Sequence, residues 1–314
     1  MTDMMWTDAD VTAALDLDTA IRSQRTAFAA LGDGRARLAQ KVSVPSGTGT
    51  ALGYLGTISP EHGAVSKLVA AHPGNAERGL PVISATVLVL DAADGRVRAV
   101  MAATALTELR TAAGSAVAVD VLAPESADEL AVLGSGVQAR AHVRAITRVR
   151  ALRTVRIHGR DRRRREALAS ELAAELDLDV RAADTAQQAV RGASLVAACT
   201  LSTEPVITAD EVEPGATVVS VGSFEPHRRE VDDELVRRAD LVVVDDVDTA
   251  AHHAGPIVRA LERGDRTRER LHSLGEVLTG RAPGRTDPGQ LVFYNSVGIG
   301  VQDAAAAHAA LGTL

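Results

Sequence analysis

The stretch "ELAVLGSGVQARAH", residues 129–142, constrains the fold more than any other part of the chain. An apolar run enters two glycines one residue apart, and Ala139 follows three residues after the second. This is the G-x-G-x-x-(G/A) turn that joins a strand to a helix. Gly134 makes the tight turn, Gly136 lets the backbone approach a pyrophosphate, and a small third residue lets helix and strand pack closely. The helix that starts at Val137 points free N–H groups and a positive dipole end at the phosphates. Ala139, Val143, Ile146 and Val149 recur every three or four residues, as one face of an amphipathic helix requires.

The alternation continues downstream. "TVRIHG", "DVRAA", "SLVAACT", "TVVSVGS" and "LVVVDD" read as strands, and "RRRREALASELAAEL", "TAQQAVRGA" and "DDELVRRA" as the helices between them. That order predicts an α/β protein with a doubly wound, Rossmann-type dinucleotide-binding domain over residues 121–290. Residues 1–120 differ. "KVSVP", "ALGYLGTIS", "AVSKLVAAH", "ATVLVLD" and "VRAVMA" are strand-like, the last two joined by "AADGR", whose Asp-Gly pair favours a tight hairpin. A helix of small residues, "LTELRTAAGSAVAVDVLA", leads onward. The expectation is an α+β domain over 1–120, to which residues 291–314 return, with a loose Gly/Pro-rich stretch near 279–290.

Composition limits the partners. A formal net charge of −7 argues against a general polyanion binder, so no nucleic-acid partner is expected. No apolar run approaches the roughly 18–20 residues that cross a bilayer, so no membrane partner is expected either. The single cysteine, Cys199, cannot form an intrachain disulfide, and "MTDMMWTDADV" lacks the basic-then-apolar pattern of a secretory leader; the expected location is the cytoplasm. Cys199 reads as a small strand residue rather than a reactive thiol. His252 and His253 are adjacent, with no ligand partner at metal spacing, so no metal is expected. A proton-relay role for His253 stays open.

The residues that bind the coenzyme are expected at Gly134, Ser135, Gly136, Val137, Gln138 and Ala139, and at the strand ends that carry Thr200, Leu201, Ser202, Val221 and Gly222. The ribose selector belongs about 20 residues beyond the turn, where the chain reads "IHGRDRRRR". No carboxylate stands at Ile157, His158 or Gly159, whereas Arg160 and Arg162 suit a 2′-phosphate. NADP is favoured over NAD, and Asp161 keeps NAD open.

Together with the N-terminal half, these residues resemble the ornithine cyclodeaminase/mu-crystallin family. "GYLGTI", "SKLVAAHPGN", "GLPVISATVLVLD", "TELRTAAGSA", "LGSGVQA", "TLSTEPVI", "PHRREVDDEL" and "SVGIGVQD" have counterparts there in the same order. The resemblance implies a homodimer, a substrate domain built from both chain ends, an active site in the cleft between that domain and the nicotinamide, and oxidation or reduction at the C–N bond of a small amino or imino acid. It places Lys67 and Arg110 at carboxylate-binding positions, Lys67 also as a proton donor or acceptor, Asp232 or the adjacent Asp233 as the catalytic carboxylate, and Gly298 near the nicotinamide. The competing role for both aspartates is a helix N-cap.

Three departures bear on substrate choice. Lys41 stands where an arginine is usual, and offers charge without a planar fork. Ala102 and Ala103 replace an acidic-plus-glycine pair, and "HAGP", residues 253–256, replaces a stretch with two carboxylates. A site trimmed in this way favours ketimine or pyrroline-carboxylate reduction over the recognition of a second amino group that ornithine cyclodeamination needs. The alternatives are a cyclodeaminase that recycles its NAD, or an NADPH-dependent binding protein without turnover.

Overall fold

A short strand, β1 (Met5–Trp6), precedes two helices whose starts are set by side chains. Thr7 caps α1 (Asp8–Ala14) in a capping box with Asp10, and Asp16 accepts from Thr19 N–H at the start of α2 (Leu17–Gly32). Six strands follow: β2 (Arg37–Leu38), β3 (Val42–Ser46), β4 (Gly49–Thr57), β5 (Val65–Ala71), β6 (Ile83–Leu90) and β7 (Val97–Ala102). They form one sheet in the order β1-β7-β6-β5-β4-β2, with β3 on the same edge of β4 as β2. The hairpin at "AADGR" forms, with Asp91 N–H and C=O bonded to Arg96 and Gly95. Burial alternates along the strands: in β5, Val65, Lys67, Val69 and Ala71 are covered while Leu68 is exposed. The helix α3 (Thr104–Leu122) comes next.

The second sheet is wholly parallel. It is built from β8 (Glu129–Leu133), α4 (Val137–Ile146), β9 (Thr154–His158), α5 (Arg162–Leu176), β10 (Asp179–Ala182), α6 (Ala186–Val190), β11 (Leu195–Ala198), β12 (Thr217–Ser220), α7 (Asp233–Arg238), β13 (Leu241–Val244), α8 (Val247–His253), α9 (Gly255–Glu262), β14 (Leu271–Ser273), α10 (Leu274–Leu278) and β15 (Val292–Asn295). The strand order is β10-β9-β8-β11-β12-β15-β13-β14. The chain leaves β8 toward β9 and later returns to β11 on the other side. The carboxyl ends of β8 and β11 therefore flank the switch point where open parallel sheets bind ligands. Strands β11, β12, β13 and β15 are buried at every residue, which explains their unbroken apolar runs.

The structure, a computed structural model, describes residues 4–314, and the chain divides into two units. One is the chain up to Gly114 with Ile299–Leu314, and the other is Ser115–Gly298. Residues 1–3, where the expected first domain begins, lie outside the described residues. Two expected boundaries are corrected. The division falls within α3 rather than after residue 120. The return to the first unit begins at residue 299 rather than 291, because β15 is a central strand of the second sheet, paired with β12 and β13. Only the last helix, α11 (Gly300–Ala310), joins the first unit, where it packs on α2, β4 and β5. The stretch 279–290 is irregular, yet Arg285 ties it down with bonds to the carbonyls of Leu122 and Gln290 and to Thr217 Oγ1. Among the described residues no helix is long and apolar enough to cross a membrane.

Candidate active site

In the second unit the glycine turn has the form that its spacing predicts. Gly134 has φ +121° and its N–H donates to His158 C=O at 2.7 Å; a Cβ there would lie 2.6 Å from Cys199 O, so the turn lies directly against the end of β11. Ala139 is fully buried, which gives α4 its close seat on the sheet. Gly136 is the N-cap of α4 and has no side-chain capping bond, so the first N–H groups of the helix are left for another acceptor. Its backbone is extended, at φ −99° and ψ −168°, and a Cβ would meet nothing within 4 Å. Nothing inside the protein requires glycine at this position. The open space beside uncapped N–H groups suits a pyrophosphate, which needs close approach of the backbone. Val137 and Leu201 are about half exposed, at 56% and 50%, and present apolar surface at the ends of β8 and β11.

Thr200 and Gly222 are drawn together by a residue that the sequence reading missed. Glu230 is completely buried, and its carboxyl oxygens accept from Thr200 N–H (2.5 Å), Thr200 Oγ1 (2.8 Å), Ser220 Oγ (2.7 Å) and Gly222 N–H (2.8 Å). Burial pushes its pKa up, against the opposing effect of these donors. The arrangement fixes the turns that follow β11 and β12, the strand ends expected to hold the coenzyme. Asp245, also buried, does the same after β15: its Oδ2 accepts from Ser296 Oγ and from the N–H groups of Val297 and Gly298, the last at 2.7 Å. Cys199 lies one residue past the end of β11 rather than in the strand, and its thiol is pushed well above its ordinary range by burial and by Glu230, consistent with an inert residue.

The two candidate carboxylates separate clearly. Asp233 is bound at both oxygens by Arg259 (3.0 and 2.7 Å), with Arg229 at 3.4 Å, and these contacts hold its pKa down. Such a carboxylate is a structural anchor. Asp232 is the N-cap of α7, and its Oδ1 accepts from Leu235 N–H (3.0 Å) and Ala209 N–H (3.1 Å). It is half-buried, and desolvation pushes its pKa up. Capping uses one oxygen only. In the arginine run, Arg162 pairs with Glu166 and Asp161 caps α5, while Arg160 is exposed after β9 and makes no ion pair among the described residues.

The first unit holds a separate, cationic cluster. Lys67 projects from the covered face of β5 and its side chain has no exposed surface. Its Nζ donates to Asp303 Oδ1 at 2.6 Å and sits 4.6 Å from the centre of the Tyr54 ring, which faces it across the β4–β5 pair. Arg110, on α3, donates from Nε to the same Asp303 oxygen at 3.0 Å and is 6% exposed. Lys41 is also buried, and its charge is felt at Lys67. Burial, then the positive charges of Arg110 and Lys41, outweigh Asp303 and bring the Lys67 pKa down to about 7. Lys67 and Arg110 share a single oxygen of one buried carboxylate, and a carboxylate-bearing ligand complements such a pair of cations in a dry place.

The structure thus brings Lys41, Lys67 and Arg110 together within the first unit. Asp303 was missed, although it lies within the quoted "SVGIGVQD". A signal was available: the chain has two lysines against 32 arginines, and both lysines are buried in this cluster.

Residues 1–311 match the model of the ornithine cyclodeaminase/mu-crystallin family. The ketimine reductase mu-crystallin of Mus musculus is 35% identical over 259 residues, 81% of this chain and 79% of that protein. Among solved structures, the Δ1-pyrroline-2-carboxylate reductase of Thermococcus litoralis in complex with NADH and L-proline superposes with a TM-score of 0.94 at 26% identity, covering 99% of this chain and 97% of that one. An archaeal alanine dehydrogenase dimer with bound NAD gives 0.93 at 27% identity, covering 99% and 95%. With the dinucleotide turn, the cationic cluster and a match over nearly its whole length, this chain belongs to the ornithine cyclodeaminase/mu-crystallin family.

Proposed function

We propose that this protein is an NAD(P)-dependent oxidoreductase that reduces the C=N bond of a small 2-imino acid, cyclic ketimines and pyrroline carboxylates being the leading substrate class. The observation that carries this reading is the buried trio of Lys41, Lys67 and Arg110 in a chain that also has a fitted dinucleotide turn. Arg110 uses only Nε toward Asp303, so its terminal nitrogens serve the substrate carboxylate as a two-pronged donor. Lys41 adds charge. Lys67, with its pKa near neutrality, delivers the proton that C=N reduction consumes. In the second unit, Asp232, whose second oxygen is not engaged in capping, is a further acid/base, and Gly298 serves the nicotinamide end of the coenzyme. The coenzyme, when bound along Gly134–Ala139 and the turns at Thr200–Ser202 and Val221–Gly222, supplies the hydride. The names of the relatives support this class: a ketimine reductase, a pyrroline-2-carboxylate reductase and an alanine dehydrogenase. An absorbance assay of coenzyme consumption against a panel of cyclic imino acids, and of 2-oxo acids with ammonia, is expected to show turnover with at least one cyclic imino acid. Binding of coenzyme with no turnover on any of them overturns the proposal.

The coenzyme preferred is NADP. Arg160 has no ion-pair partner among the described residues, and Asp161, the adjacent carboxylate that could take a ribose 2′-hydroxyl, caps α5 through Oδ1 and faces Arg164 Nε at 3.6 Å through Oδ2. NADPH is expected to bind more tightly than NADH, and Arg160→Ala to weaken NADPH about tenfold while leaving NADH unchanged. Isothermal titration with both coenzymes checks this.

The protein is a homodimer in this proposal. The outward face of the first sheet carries Val42, Val44, Leu55 and Leu68, each 46–63% exposed, and an apolar face of this kind needs a partner. Sedimentation equilibrium reads the state directly. A reducing compartment, the cytoplasm, fits a chain with one cysteine, and cell fractionation tests it.

A further inference from the structure

Arginine serves almost everywhere that this chain uses a cation; Lys41 and Lys67 are the two exceptions, and both are buried in the first unit. A guanidinium keeps its proton in a protein, whereas a buried ammonium gives it up readily. The exceptions therefore mark a place where a proton has to leave. Around Lys67 stand Tyr54 from β4, Arg110 from α3, Asp303 from α11 and Lys41 from the segment before β3. Asp303 is the one carboxylate among them.

We propose that Asp303 is a positioning residue of the imino-acid site: by accepting at one oxygen from both Lys67 Nζ and Arg110 Nε, it holds ammonium and guanidinium side by side and keeps the terminal nitrogens of Arg110 for the substrate carboxylate. This inference rests on the function proposed above. Asp303 is 1% exposed and acts through its two partners rather than on the substrate.

The backbone gives it a firm seat. At the start of α11 the chain passes so close to β4 that a Cβ on Gly300 would lie 2.4 Å from Leu55 O, and one on Gly56 would lie 2.6 Å from the Gly300 carbonyl carbon. The first turn of α11 is thereby locked to the sheet that carries Lys67. The turn is tied further by Gln302, whose Oε1 accepts from Ile299 N–H and whose C=O accepts from Gln24 Nε2. Asp303 Oδ2 is buried and has no hydrogen-bond partner. That oxygen gives Lys67 a second acceptor as its ammonium turns to pass a proton, so the side chain moves without leaving the carboxylate.

The test uses the scarcity of lysine. In the full-length protein carrying lysine labelled at 13Cε, two side-chain resonances are present, and Lys41→Arg assigns them. Because the Asp303 charge favours the ammonium form, Asp303→Asn is expected to move the Lys67 titration down by about one pH unit or more. It should also raise KM for the imino acid about tenfold, with coenzyme affinity unchanged. Asp303→Glu, which keeps the charge, is expected to bring the titration back toward that of the wild type. A folded Asp303→Asn protein with unaltered Lys67 titration and KM overturns the proposal, as does a uniform fall in kcat without a change in titration. If Asp303→Asn does not fold, the wild-type spectrum decides: a Lys67 resonance titrating like an exposed lysine, near pH 10.4, overturns the proposal, and one titrating near neutrality that Asp303→Glu retains supports it. The NMR readout needs no turnover. An Asn-induced shift in a protein that reduces no imino acid would sink the function proposed above and leave the role of Asp303 toward Lys67 standing.

Discussion

Lys67→Ala is expected to lower kcat/KM for imino-acid reduction about 10³-fold while leaving coenzyme binding unchanged, because it removes the proton donor and one of three cations together. Lys67→Arg should fail nearly as badly. It keeps the charge, but a guanidinium does not release its proton. The pH dependence follows from the same group. The lysine pKa is brought down to about 7 by burial and by the neighbouring cations. Reduction consumes a proton and needs the ammonium form, so its rate should be full below pH 7 and fall as the pH rises through about 7. The reverse oxidation needs the free amine and should rise over the same interval. Stopped-flow rates of coenzyme oxidation and reduction from pH 5.5 to about pH 9 read both limbs. A reductive rate that climbs through this window would mean that the proton comes from another group.

The parts that sequence reading placed correctly are those in which a local pattern has a single physical solution. The glycine turn, the alternation of apolar runs and helices, and the Asp-Gly hairpin each specify their own backbone. The parts that it misplaced depend on distance. The run "LVFYNSVG" is apolar enough for either sheet, and only the pairing of β15 between β12 and β13 assigns it to the second. The choice between Asp232 and Asp233 likewise rests on Arg259, 26 residues further on, which takes both oxygens of Asp233. Asp303 meets Lys67 across 236 positions of sequence, and nothing local to either residue announces the contact. Lys67 itself was legible in a way that was not used. In β5 it occupies the covered register with Val65, Val69 and Ala71, and a charge on that face needs either a buried partner or a ligand.

Two glycines in the second unit separate what the fold requires from what a ligand requires, and their replacement by alanine should give opposite results. In Gly222→Ala the new Cβ would stand 1.7 Å from Thr200 O and 2.7 Å from Glu230 Oε1. Neither neighbour can yield, since Thr200 is held by Glu230 through its N–H and its hydroxyl, and Glu230 is bound in turn by Ser220 and by Gly222 itself. The ends of β11 and β12 must therefore separate, which breaks a buried carboxyl network. The expected cost is about 3 kcal/mol of stability, read by urea titration, with coenzyme affinity weakened about a hundredfold. Gly136→Ala meets no atom within 4 Å and keeps an extended backbone open to any residue. Stability should be unchanged or slightly raised, because alanine narrows the unfolded ensemble. Coenzyme affinity should nevertheless fall about tenfold or more, since the added methyl fills the space beside the uncapped N–H groups of α4. Unaltered coenzyme binding by the stable Gly136→Ala protein would show that the pyrophosphate does not lie on this turn, whatever the behaviour of Gly222→Ala.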